Sequence, residues 1–156
     1  LMPSDAHKLM SDGSVKEVLL THVLEHLGER TEVYLKIMQE LYRICEANAE
    51  IHLVVPHPRH DDFLSDPTHV RTITPDGLNL FSKSKNKEWI RNGYANSPLG
   101  LYLDVDFEVM RTNYVLESEW NRKLSAKEMT EKEIMHAMGL YNNVVKEMQI
   151  VLKVIK

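Results

Sequence analysis

Histidine and arginine side chains are concentrated in one stretch of this sequence. Four of the eight histidines lie between residues 52 and 69. A histidine can take up or release a proton near neutral pH, and an arginine can hold a carboxylate or a phosphate through two hydrogen bonds. We therefore predict a reactive site here, with proton transfer carried by His57 and His60. The side chains predicted to bind the substrate are His26, Arg59, His69 and Arg71.

Two other interpretations of these residues stay open. In the first, the histidines and arginines only pair with nearby acidic residues in a folded loop, because Asp61, Asp62 and Asp66 are close in sequence. In the second, a metal-dependent hydrolase uses imidazole and carboxylate ligands, drawn from His57, His60, Asp61 and His69. Their spacing matches no compact ligand motif, so we assign no residue to a metal. Glu25 is expected to be a solvated carboxylate at the start of a helix.

The elements that would position these residues begin with a strand, a helix and a second strand. Residues 15–21 hold a short apolar run after turn residues, which indicates a buried strand. Apolar residues recur every three or four positions over 30–46, which predicts a helix with Thr31 as its N-cap. The β-branched run at 51–55 predicts a second strand that stops at Pro56. This order predicts a parallel pair with a right-handed helical crossover.

The remainder of the chain adds a long loop, two helices and two strands. Residues 56–74 are polar and contain several prolines, which predicts a loop of the kind that often carries function. Thr74-Pro75-Asp76 should begin a helix that ends near Asn92-Gly93. A capping box at Thr130 predicts a helix to about residue 142. Two further strands are predicted, at 104–117 and at 148–155.

Composition narrows the class of protein. A length of 156 residues suits one domain spanning 1–156, and a net charge of −4 argues against a nucleic-acid partner. Cys45 is the single cysteine, and no apolar run reaches the roughly 18 to 20 residues of a membrane-spanning helix. We therefore expect a cytoplasmic protein with no membrane partner. Because the chain starts at Leu1 and leads directly into a motif, we expect it to be truncated at its N-terminus.

Several short segments in a fixed order carry a family resemblance. Asp5-Ala6 precedes the first strand, His22-Val23-Leu24-Glu25-His26-Leu27 follows it, and Ile51-His52-Leu53-Val54-Val55-Pro56 comes after the helix. This succession resembles the middle of class I S-adenosylmethionine-dependent methyltransferases. The resemblance implies an α/β, Rossmann-like sheet in which parallel strands are followed by an antiparallel C-terminal pair, with flanking helices. It also implies that the glycine-rich first motif of that family is missing from this sequence.

The resemblance further implies methyl transfer from S-adenosylmethionine to a small-molecule acceptor. Asp5 and Ala6 would contact the adenine of this cofactor, and its methionine half would lie near Thr21, His22 and Val23. These positions agree with the general rule that open α/β sheets bind ligands beyond the carboxyl ends of their strands. His26 would face the same crevice, one turn after His22.

The alternative to a methyltransferase is a non-catalytic protein that serves as an assembly module. Without the strands that precede it in the family, the strand at 15–21 would be an exposed edge, and exposed edges pair with other chains. The chain would then be a module that forms a homodimer through this edge or through swapped elements.

Overall fold

Two parallel strands joined by a helix form the first half of the fold in this computed structural model, which describes residues 9–156. Strand β1 (Val15–Thr21) leads into a 3-10 helix (Leu24–His26), helix α1 (Thr31–Ile44) and strand β2 (Cys45–Pro56). The strand predicted at 15–21 is confirmed with the same bounds. The predicted helix is also confirmed, although α1 ends two residues earlier than expected, at Ile44. The predicted N-cap is wrong, because Arg30 is the N-cap and Thr31 is the first helical residue.

Strands β3 (Phe107–Leu116) and β4 (Val145–Val154) complete one sheet with the order β1-β2-β4-β3. Strand β4 runs antiparallel to both of its neighbours. The predicted fold class, an α/β sheet with parallel strands followed by an antiparallel pair, is therefore confirmed.

Short helices connect β2 to β3 and β3 to β4. The first connection holds α2 (Asp61–Leu64), α3 (Pro75–Asn79), α4 (Lys83–Asn92) and α5 (Leu99–Tyr102), and the second holds α6 (Ser118–Ser125) and α7 (Glu131–Leu140). Within residues 9–156, no helix is both long enough and apolar enough to cross a membrane.

The core lies on one face of the sheet. Ile51, Leu53 and Val55 alternate along β2 and are at most 1% exposed, and they share a cluster with Met38 of α1 and Phe81. Full burial of each such side chain stabilises the fold by about 1.5 to 3 kcal/mol relative to leaving the side chain exposed. This alternation fixes the register of β2, because a shift of one residue would turn its apolar side chains away from the core.

Strand β2 begins six residues before the predicted strand. Val15 pairs with Cys45 and Glu17 pairs with Glu50, so two steps along β1 match five steps along β2. The extra residues form a bulge in which Asn48 has a φ of 67°. Asn tolerates this left-handed conformation better than most residues, which explains why a turn-like sequence lies inside a strand.

A single helix over 74–92 was expected, and this prediction is wrong. The chain breaks between α3 and α4, where the Ser82 side chain caps α4 by accepting from the Lys85 backbone N–H. The buried Asn86 amide donates to the Leu80 carbonyl oxygen at 3.0 Å, and its oxygen accepts from the Leu101 N–H at 3.2 Å. The first contact satisfies the Leu80 carbonyl oxygen, which a continuous helix would have paired internally, and the second joins α4 to α5.

The last part of the chain agrees more closely with expectation. The capping box at Thr130 and Glu133 is confirmed at the start of α7. Strand β4 begins at Val145, three residues before the predicted strand. Helices α2, α5 and α6 were not predicted, and α2 lies within the segment 56–74 that was expected to be a loop.

Candidate functional site

The carboxyl ends of β1 and β2 meet at one edge of the sheet, and the chain leaves β1 there at His22. The backbone N–H of His22 donates to the Val54 carbonyl oxygen at 2.9 Å, and His22 has a φ of 52°. A left-handed conformation at a residue other than glycine is uncommon and often marks a functional turn. The turn leaves Thr21, His22 and Val23 exposed at the strand end. Their predicted contact with the cofactor stays a prediction.

A cleft of about 400 Å³ opens beside this turn. Its lining residues are His22, Pro56, Asp62, His69, Lys146 and Glu147. The His22 ring lies between two carboxylates, with Nδ1 3.4 Å from Oε1 of Glu25 and Nε2 3.5 Å from Oε2 of Glu147. Because both ring nitrogens face carboxylates, the imidazole is held at the edge of the cleft, where it could accept a proton.

Glu25 lies in the 3-10 helix and is only 1% exposed, so the expectation of a solvated carboxylate is wrong. Its backbone carbonyl oxygen accepts from the N–H groups of Val70 and Arg71, at 3.0 and 3.1 Å. These bonds fix the loop after β2 over the 3-10 helix, and the Glu25 side chain is enclosed beneath it. Neither carboxylate oxygen accepts a hydrogen bond from the residues described here.

His26 and His69 come together across this loop, with ring centres 4.6 Å apart. His26 Nδ1 lies 2.9 Å from the Thr68 hydroxyl oxygen and 3.2 Å from the Thr68 carbonyl oxygen. His69 Nδ1 lies 3.0 Å from the Phe63 carbonyl oxygen, and the Phe63 ring stacks on it at 5.3 Å. The two histidines were predicted as separate substrate contacts, and the structure places them side by side.

Arg71 lines a different cavity, of about 170 Å³, together with Tyr34. Its guanidinium lies 4.3 Å from the centre of the Tyr34 ring, and its Nη2 donates to the Gly28 carbonyl oxygen at 2.8 Å. Burial raises the pKa of Tyr34 to about 12, and the positive charge of Arg71 partly offsets this rise. In this arrangement Arg71 holds the loop onto α1, and its predicted contact with a substrate stays a prediction.

The two histidines predicted as proton carriers use their rings in local hydrogen bonds. His60 is 6% exposed, its Nδ1 accepts from the Asp62 N–H, and its Nε2 lies 3.1 Å from Oε2 of Glu117. His57 Nδ1 accepts from the Arg59 N–H at 3.2 Å. Neither histidine is among the residues that line the cleft.

Arg59 and Asp61 are also engaged away from the cleft. Arg59 Nη1 donates to the Gly139 carbonyl oxygen at 2.8 Å, which satisfies the C-terminal end of α7. Asp61 accepts from the Asn143 amide at 2.9 Å. Of the four residues proposed for a metal-dependent hydrolase, only His69 therefore belongs to the group of possible metal ligands found among residues 9–156.

Of the two acidic residues beside His22, Glu147 was not predicted to lie at this site, and Glu25 was expected to be a solvated carboxylate. Glu25 and Glu147 flank the His22 ring, and no local pattern shows that they meet, because they are separated by most of the chain. The adjacency of Glu25 and His26 is the one signal that was available. Asp5 and Ala6, the predicted adenine contacts, lie outside the described residues.

The fold matches that of methyltransferases of known structure. A SAM-dependent methyltransferase from Archaeoglobus fulgidus aligns with 98% of this chain and 65% of its own, with a TM-score of 0.60 and 18% identity. A SAM-dependent methyltransferase from Methanosarcina mazei aligns with 94% of this chain and 62% of its own, with a TM-score of 0.47 and 12% identity. A protein described as a possible histamine N-methyltransferase from Thermotoga maritima aligns with 94% and 58%, with a TM-score of 0.45 and 11% identity. No protein-family model and no curated protein sequence matches this chain.

The chain thus has the class I methyltransferase fold that its sequence resembles. It spans less than two thirds of the length of each of these solved proteins. At 18% identity, this likeness shows the fold and leaves the activity to be proposed.

Proposed function

We propose that this chain forms part of an enzyme that transfers the methyl group of S-adenosylmethionine to a small-molecule acceptor. The observation that carries the proposal is the likeness to the Archaeoglobus fulgidus methyltransferase over 98% of the chain. The cleft at the carboxyl ends of the parallel strands supports it, because ligands of open α/β sheets bind at that edge.

The residues at the end of β1 fit the methionine end of the cofactor. Thr21, His22 and Val23 are exposed beside the cleft, and the left-handed turn at His22 opens the strand end to a ligand. Asp5 and Ala6 would hold the adenine. When bound, S-adenosylmethionine supplies a methyl group on a sulfonium, which the acceptor attacks while the electrons of the carbon–sulfur bond stay on sulfur.

The protein's own contribution is alignment and removal of a proton. Holding the acceptor in line with the methyl group can provide much of the rate. The His22 imidazole lines the cleft directly after the end of β1, so we propose it as the group that takes the acceptor's proton. His57 and His60 stay as alternative bases, and His26, Arg59, His69 and Arg71 stay as proposed contacts of the acceptor.

Calorimetry with S-adenosylhomocysteine tests the proposal. The titration uses the full-length natural protein that carries these residues. We expect binding at micromolar concentration, weakened about fivefold by His22→Ala, since one lost hydrogen bond is worth about 1 kcal/mol and a tenfold change corresponds to about 1.4 kcal/mol. His136→Ala, at an exposed position on α7, is the control and should bind normally. No heat up to millimolar ligand would contradict the proposal.

The exposed edge of the sheet favours the second candidate, a non-catalytic module that dimerises. Among the described residues β1 pairs only with β2, and Leu19 on β1 is 68% exposed. Such an edge is a template for pairing with a second chain. A protein that dimerises through β1 and gives no heat with S-adenosylhomocysteine would fit this candidate.

A further inference from the structure

We propose that Glu25, His26 and His69 bind one divalent transition-metal ion. Each of the three offers one ligand atom, and these atoms all lie within 4.8 Å of one another. A carboxylate and two imidazoles at that separation can approach a single ion at the usual distances of about 2.0 to 2.2 Å. The proposal goes beyond methyl transfer and does not depend on it.

The Glu25 carboxylate provides an independent reason to expect a cation. Its side chain is 1% exposed, and neither oxygen accepts a hydrogen bond from residues 9–156. A buried carboxylate in this state is costly unless an opposite charge neutralises it. The nearest basic groups are His22 Nδ1 at 3.4 Å and His26 Nε2 at 4.0 Å from Oε1. A bound cation would supply the charge and the contacts that both oxygens lack.

The Nδ1 atoms of His26 and His69 make hydrogen bonds of the kind that orient metal-ligating histidines. His69 Nδ1 faces the Phe63 carbonyl oxygen, and His26 Nδ1 faces the Thr68 carbonyl oxygen. A carbonyl oxygen can only accept, so both Nδ1 atoms carry a proton. In the neutral rings, Nε2 then presents a lone pair. His26 Nε2 lies 4.0 Å from Oε1 of Glu25, and His69 Nε2 lies 3.8 Å from Oδ2 of Asp66. Ligating histidines are commonly oriented in this way, by donating the other ring N–H to a carbonyl or a carboxylate.

A second layer of hydrogen bonds supports His26. The Thr68 hydroxyl donates to Asp66 Oδ1 at 2.6 Å, so its oxygen is free to accept from His26 Nδ1. The Thr68 backbone N–H also donates to Asp66 Oδ1, at 2.8 Å, so this carboxylate holds Thr68 through two hydrogen bonds. The chain from Asp66 through Thr68 therefore fixes both the tautomer and the direction of the His26 ring.

The donor set determines the class of metal. Two imidazoles and one carboxylate suit Zn²⁺, Fe²⁺, Co²⁺, Ni²⁺ or Mn²⁺, whereas Mg²⁺ and Ca²⁺ prefer oxygen ligands alone. Three protein ligands leave at least one coordination position for water or a ligand oxygen. His69 also lines the 400 Å³ cleft, so the proposed metal site lies beside it. The His22 ring, 3.4 Å from Glu25, is the nearest further donor.

Cobalt absorption provides the test. The natural protein is purified without a polyhistidine tag, stripped with a chelator and titrated with Co²⁺, and the visible d–d bands are followed. We expect one ion per chain with a micromolar dissociation constant or lower. Glu25→Gln and His69→Asn should each weaken binding by about a hundredfold, whereas the exposed His136→Asn should bind as the wild type does.

A second variant and a stability measurement keep the test decisive if a buried substitution impairs folding. Thr68→Val, at an exposed position, removes only the hydroxyl behind His26 and should weaken Co²⁺ binding about tenfold. Zn²⁺ should raise the melting temperature of the wild type and not that of Glu25→Gln. If Glu25 merely forms ion pairs with His22 and His26, neither metal will bind with one-to-one stoichiometry, and the proposal is overturned. That result would leave the binding of S-adenosylhomocysteine unaffected.

Discussion

His57 lies next to the positively charged Arg59 side chain and the titratable His60 side chain, and both affect the pKa of its imidazole. Its pKa is lowered from the ordinary value, first by burial and then by Arg59 and His60. A histidine with a lowered pKa is neutral at pH 7 and can accept a proton, but it is a weaker base than a free imidazole. The ring is also tied to the Arg59 backbone. These contacts orient the His57 ring within the loop after β2, and its predicted role as a base stays a prediction.

NMR titration of the His57 ring protons tests this description. We expect a midpoint below that of a free histidine, and Arg59→Ala should move the midpoint upward because it removes a nearby positive charge. The exposed His136 serves as an internal reference for sample pH and ionic strength. A His57 midpoint at or above that of a free histidine would show that burial and Arg59 do not act on it.

Glu117 links the loop after β2 to the end of β3 and should make the fold sensitive to acid. Hydrogen bonds from Ser118, and then from His60, lower the pKa of Glu117 to about 2. Because the folded value lies below the unfolded one of about 4.5, the stabilisation is complete above pH 4.5 and is lost as the pH falls towards 2. Glu117→Gln should therefore flatten the decline of the melting temperature over this range. Glu108→Gln, at an exposed position on β3, is the matched control, and an equal slope in both variants would refute the prediction.

The connection between the 3-10 helix and α1 depends on Gly28. Its φ is 71°, and a Cβ atom there would lie 2.6 Å from the Cα and Cβ atoms of Tyr34. Gly28→Ala should lower the free energy of unfolding by roughly 2 to 5 kcal/mol, combining backbone strain with overpacking. In α7, a Cβ at Gly139 meets nothing within 4 Å, so Gly139→Ala should stabilise by about 0.5 to 1 kcal/mol. Chemical denaturation measures both changes, and similar effects at the two positions would contradict the argument.

Elements with strong local signals were predictable, and elements determined by distant contacts were not. The strand at 15–21 and helix α1 follow from hydrophobic periodicity and turn residues. The break between α3 and α4 depends on Asn86, whose partners include Leu101. Leu101 lies 15 residues after Asn86, so a window of neighbouring residues contains the Ser82 cap and not this contact.

The candidate site was predictable in its location and not in its composition. The end of β1 and the loop after β2 were expected to lie at the site, and both contribute residues to the cleft. Glu25 was misjudged because its burial results from Val70 and Arg71, more than 40 residues later in the chain. Burial of this kind is a property of the tertiary structure, so sequence periodicity could not show it.

At the scale of the whole molecule, the described part of the sheet ends at β1 on one side. Strand β1 pairs with β2 alone, and its Leu19 side chain is 68% exposed. An edge strand with unpaired N–H and C=O groups and an apolar side chain favours pairing with another chain. The 156-residue chain should therefore self-associate through β1, as the sequence predicted for a homodimer.

Sedimentation equilibrium with edge variants tests this prediction. Leu19→Lys should weaken association of the 156-residue chain at least tenfold, because lysine on an edge strand opposes pairing. Leu140→Lys is the matched control, since Leu140 is 59% exposed at the end of α7, outside the sheet. Circular dichroism should first show that both variants keep the wild-type fold. A chain that stays monomeric at high concentration would contradict the prediction. An association that only Leu140→Lys weakens would place the contact surface away from β1.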